Sequence, residues 1–80
     1  MINGPSEWKD FAKSTIWTDI QEELMIWLEE IRSQLESDEV DLGEVKALRG
    51  SAKAIRHVLQ LPENLEQMAI DQFEEEEKHE

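Results

Sequence analysis

Between residues 15 and 37 the apolar side chains return every three or four positions, and that period leaves little choice of fold. Ile16, Trp17, Ile20, Leu24, Trp27, Leu28, Ile31 and Leu35 share one face, while Asp19, Glu22, Glu23, Glu29, Glu30 and Glu36 lie largely off it. A helix over this stretch is about 33 Å long. The same logic applies downstream. Val45, Leu48, Ala52, Ile55 and Leu59 are spaced three and four apart and predict a second helix over 42–60. Asp41 stands before it as N-cap, with Glu44 three residues on to complete a capping box. The polar break Ser37-Asp38-Glu39-Val40-Asp41 is short, so the two long helices are expected to form an antiparallel hairpin.

Shorter helices flank the pair. Asn3-Gly4-Pro5-Ser6 reads as a start signal, with Ser6 the expected N-cap of a helix over 7–13 that carries Trp8, Phe11 and Ala12. Its stripe is out of phase with the helix that follows. The chain therefore bends near Ser14, or the first helix makes a separate contact. Ser14 and Thr15 either cap the next helix or are passed through by it. Pro62 ends the 42–60 helix and opens another, since its missing N–H costs nothing in a first turn. Leu65, Met68, Ala69 and Phe73 supply that helix with a stripe. Glu74 to Glu77 oppose the macrodipole at a helix C-terminus, which predicts a frayed, solvated tail over 74–80. The expected architecture is one all-α domain over 1–73: a hairpin, a short N-terminal helix and a C-terminal helix.

Eighty residues bury little. A domain of this size hides only about 60–65% of the surface its unfolded chain exposes, and many such chains gain stability by oligomerising. With no cysteine, neither a disulfide framework nor a thiolate metal site is available. The longest apolar run, Leu24 to Leu28, falls far short of the roughly 20 residues of a membrane span. Met1-Ile2-Asn3-Gly4-Pro5 has neither the charged nor the apolar region of a secretory signal, so a cytoplasmic location is expected.

The net charge of −12 disfavours general binding to nucleic acid or anionic membrane, because its long-range field repels phosphate. That charge is unevenly distributed. Residues 42–61 hold four of the eight basic residues, Lys46, Arg49, Lys53 and Arg56, against the single acid Glu44. Spaced three, four and three apart, the four form one ridge on a helix. Such a ridge pairs with the chain's own acidic helix, pairs with another subunit, or faces an anionic partner. Flanking ion pairs, within or between subunits, are the favoured expectation; exposed pairs contribute only about 0–1 kcal/mol each but specify orientation.

Catalytic equipment is sparse. Glu76-Glu77-Lys78-His79 has the Glu-x-x-His spacing of bundle di-metal sites, but no second such motif accompanies it; the other histidine, His57, lies at the ridge's edge. Glu36-x-x-Glu39 and Glu63-x-x-Glu66 resemble half of the Mg²⁺-binding pattern of all-α nucleotide pyrophosphohydrolases, without the matching Glu-x-x-Asp. Neither a nucleophile elbow nor a phosphate-cradling glycine loop is present. A non-enzymatic chain without metal or cofactor is expected.

Two features exceed what a hairpin needs. Among three tryptophans, Trp17 and Trp27 fall within the main stripe and are expected in the core. Trp8, with Phe11, is free to anchor another chain, a role for which Trp is favoured. The 42–60 helix also carries a small-residue face, Ala47, Gly50 and Ala54, continuing towards Val58 and Leu61. A glycine inside a helix costs about 1 kcal/mol relative to alanine, which close approach of another helix would offset. Either the last helix of the same chain or a second copy supplies that approach. Met25 and Ile26 form a second apolar face on the acidic helix. The expected interface is Trp8, Phe11, Ile26, Gly50 and Ala54.

The order Trp17-Thr18-Asp19-Ile20, Trp27-Leu28-Glu29-Glu30-Ile31-Arg32, Leu48-Arg49-Gly50-Ser51-Ala52-Lys53-Ala54-Ile55-Arg56 and Leu61-Pro62 resembles small uncharacterised acidic helical proteins of tailed bacteriophages. The resemblance covers roughly residues 15–65 and rests on packing motifs. It implies a phage accessory or virion-associated protein, in the host cytoplasm or the virion. Independently of it, the second faces predict a non-enzymatic assembly module whose fold is completed by oligomerisation, with itself or another protein as partner. It also admits a second class: an acidic inhibitor or DNA mimic that presents Glu22, Glu23, Glu29, Glu30 and Glu74–Glu77 to a basic groove on a host nucleic-acid-handling protein. A metal-dependent nucleotide hydrolase is a third reading, and would be stabilised by Mg²⁺ or Mn²⁺.

Overall fold

The computed structural model describes the backbone of residues 1–78 and the side chains of 1–77. It contains four helices, α1 (Pro5–Ala12), α2 (Thr15–Leu35), α3 (Leu42–Leu59) and α4 (Leu61–Lys78), and no strand among the described residues. None of these helices is long and apolar enough to cross a membrane. The chain divides into two compact units, one of Met1–Thr18 with Gln60 onwards, the other of Asp19–Leu59.

In the first unit, α1 packs on α4. The helix begins two residues before the expected start: Gly4 is the N-cap, without a side-chain hydrogen bond, and Pro5 occupies the first turn. Proline's fixed φ suits that position, so Ser6 is inside the helix and is not its cap. The joint between α1 and α2 is Ser14. Its Oγ donates to the Phe11 carbonyl at 2.7 Å and accepts from the Trp17 N–H at 3.1 Å, ending one helix and capping the next. A cap of this kind contributes about 1 kcal/mol. The break frees α1 from the phase of α2, so its aromatic residues turn to contacts of their own. Trp8 meets Phe11 edge-on, with ring centroids 6.2 Å apart, and Phe11 tilts against Trp17 at 5.5 Å. Trp17 and Ala69 are buried, and Pro62 is buried at the start of α4.

The stripe on α4 differs from expectation. Ala69 is buried, and Leu65, Glu66 and Ile70 are half-buried, but Met68 and Phe73 are more than half exposed. Met68 sits to one side of the Leu65–Ala69 line. Phe73 lies on that line, one turn beyond Ala69. The helix also continues past Phe73 through Glu74–Glu77, whose carboxylates are exposed. His79 and Glu80, expected in the tail, lie outside the described residues, and with them the Glu-x-x-His spacing that ends on His79.

The second unit buries Leu24 and Ala52 and half-buries Leu28, Ile31, Leu35, Val45, Leu48, Ile55 and Leu59. Asp41 caps α3 as its position requires, its Oδ1 accepting from the Glu44 N–H at 2.8 Å. Trp27, expected in the core, is instead 47% exposed. It stands at the edge of the stripe, where Glu23 one turn back accepts its indole N–H at 3.0 Å. Ile20, and Ile16 in the other unit, are exposed on the same edge of the helix.

Candidate interaction surface

The two units treat the five expected interface residues differently. Trp8 and Phe11 are half-buried within the first unit, Trp8 edge-on to Phe11 and Phe11 against Trp17. The Trp8 Nε1 is buried without a hydrogen-bond partner among the described residues. An orphaned donor of this kind costs about 1–3 kcal/mol. Ile26, Gly50 and Ala54, all in the second unit, are exposed. A Cβ built on Gly50 meets nothing within 4 Å. Among the described residues of the second unit, no close helix approach offsets this glycine.

On α3 three sectors divide the helix. The Val45–Leu59 stripe is buried or half-buried, the ridge Lys46, Arg49, Lys53 and Arg56 is exposed, and the face Ala47, Gly50, Ser51, Ala54 is exposed between them. None of the four ridge cations lies within ion-pair distance of a carboxylate among the described residues. The ion pairs present belong to Arg32, which reaches Glu29 at 3.7 Å and Glu36 at 3.3 Å. Both are local helix pairs on side chains about 70% exposed, each contributing about 0–1 kcal/mol.

On α2 the face away from the core is acidic around one apolar residue. Ile26, 52% exposed, has Glu22 and Glu23 one turn before it and Glu29 and Glu30 one turn after. Residues three and four apart on a helix are surface neighbours, with Cβ atoms about 5–6 Å apart. Ile26, Glu29, Glu30, Ser33 and Gln34 line a shallow open groove. Met25 is likewise exposed, on the other flank.

Ser51 was not among the expected interface residues. Its signal was its position, one turn after Ala47 and one residue after Gly50, on the same face. No group of three or more His, Asp or Glu side chains converges on a common point among the described residues. Comparison of the chain with protein-family models, with curated proteins and with solved structures gives no match.

Proposed function

We propose that this chain is a non-enzymatic helical assembly module that associates with copies of itself. In this reading α2 and α3 form an antiparallel hairpin, completed by a second copy. The observation that carries it is the amount of apolar surface left open. Met25, Ile26, Trp27, Leu42, Met68 and Phe73 are each between 47% and 78% exposed, and no side chain among the described residues is fully buried. Scattered single residues of this kind are ordinary on a protein surface. Exposed Met25, Ile26 and Trp27 on α2, together with a glycine inside α3 that meets no described residue beyond its own helix, favour a contact between chains. The resemblance to phage proteins makes an accessory or virion-associated role the natural setting, in the host cytoplasm or in the particle.

A second reading has one specific observation in its favour. Glu22, Glu23, Glu29, Glu30 and Glu74–Glu77 are all exposed, as an acidic inhibitor or DNA mimic would require. Light-scattering mass measured after size-exclusion chromatography, over a dilution series at low and high salt, separates the two. Self-assembly predicts a mass above that of the 9.4 kDa monomer which resists dilution and changes little with salt. A monomer at every concentration, together with salt-sensitive binding to a basic nucleic-acid-handling protein that DNA competes away, would reverse the order of the readings.

A further inference from the structure

The geometry points to a specific contact between two copies: Ile26 on α2 of one chain seats in the small-residue face of α3 on another, with Glu22 and Glu29 paired to Lys46 and Lys53. This inference rests on the self-association reading and names the surfaces that would carry it.

Ala47, Gly50, Ser51 and Ala54 stand at relative positions 0, 3, 4 and 7 of α3, the four positions that surround a hole on a helix surface. All four side chains are small and all four are exposed. Beyond its own helix, nothing described lies within 4 Å of a Cβ at Gly50, which leaves the floor of that hole open. A helix crossing there approaches at the short end of the usual range of about 8–10 Å between axes. The insertion it needs is a branched apolar side chain on an otherwise polar face, and Ile26 is one.

Charge selects the pairing. Lys46 and Lys53 are seven residues apart with Gly50 between them, four after the first and three before the second. Glu22 and Glu29 are also seven apart, with Ile26 between them at the same offsets. Seven residues of helix rise about 10.5 Å, so the two cations and the two carboxylates have matching separations about matching centres. Each lysine immediately precedes a small residue, Ala47 or Ala54, which places it along one edge of the hole. That is the edge from which charged side chains of paired helices reach across. Among the described residues neither lysine is paired, and neither is Glu22. A second copy is the partner with the matching chemistry, because it carries both halves of the contact. Because the halves lie on different helices, two copies satisfy both at once about a two-fold axis, or successive copies satisfy them head to tail.

Three variants test this in the intact chain, each checked for helix content by circular dichroism. Gly50→Leu fills the hole from a position where no described residue beyond its own helix opposes it. It should leave thermal stability equal or raised, since leucine is the better helix former, and abolish assembly. Glu22→Lys/Glu29→Lys and Lys46→Glu/Lys53→Glu each bring like charges together. Each alone should raise the concentration at half assembly on the order of a hundredfold. An equimolar mixture of the two should regain the wild-type mass, because every contact is again between opposite charges. A wild-type chain that assembles while the three variants assemble equally well, or a mixture that stays monomeric, overturns this contact and leaves self-association standing. A wild-type chain monomeric at every concentration overturns both.

Discussion

Trp17→Ala should leave the first unit without a stable fold. Trp17 is 6% exposed and is the side chain against which Phe11 of α1 tilts. Truncating a buried tryptophan costs about 3–5 kcal/mol through lost transfer energy and the cavity left behind. In chains of about 70–80 residues a single hydrophobic core rarely supplies more than about 3–5 kcal/mol, so the substitution removes most of what the first unit's core provides. The Phe11–Trp17 contact adds about 0.5–1.5 kcal/mol that alanine forfeits too. Urea titration followed by far-ultraviolet circular dichroism reads the outcome directly. The expected curve has lost its low-denaturant plateau, whereas Trp17→Phe, which keeps a ring beside Phe11, should retain one. A Trp17→Ala curve superimposable on wild type would mean that the aromatic cluster does not hold α1.

Leu24→Ala and Ile26→Ala, two residues apart on one helix, should part company. Leu24 is 7% exposed and carries the core face of α2, so its truncation should cost about 2–5 kcal/mol. Ile26 is 52% exposed on the opposite side and should cost within about 0.5 kcal/mol in the monomer. Measured at concentrations low enough to hold both chains as monomers, Leu24→Ala lowers the urea midpoint strongly and Ile26→Ala hardly moves it. At assembling concentrations the order of effects on mass inverts for a folded chain, since Ile26 is the side chain that reaches the second copy. Equal destabilisation by both would show that the face bearing Ile26 is covered within the chain.

The local features of the fold were legible where one residue type does one job. Asp41 before a helical period is a cap, and the structure has its carboxylate on the Glu44 N–H. Pro62 lies in the first turn of α4, and the Val45–Leu59 stripe is the covered side of α3. Ser14 allowed two readings, and its two hydrogen bonds decide for the cap. What the period cannot say is how much of a stripe its neighbours cover. Ile16, Ile20 and Trp27 fit the stripe of α2 by spacing, yet lie on the edge that nothing covers fully. Met68 and Phe73 fit the stripe of α4 by spacing, yet are more than half exposed. The pairing of α1 with α4 joins residues some fifty positions apart, and no local signal announces such a contact. The exposed face of α3 was visible in sequence because glycine inside a helix asks for a reason. That no described segment of the second unit supplies the reason needed coordinates.

A chain without cysteine offers a direct way to ask whether Ile26 and Gly50 of different copies meet. Ile26→Cys and Gly50→Cys chains are made separately, mixed in equal amounts and oxidised mildly, and the covalent products are identified by intact mass. A disulfide needs Cα atoms within about 7 Å, so it forms efficiently only where the two helices cross. The account predicts rapid formation of the mixed dimer, in excess over either like-with-like dimer. Covalent dimers in statistical proportion, or none above the level given by a cysteine placed at exposed Glu75, would contradict it.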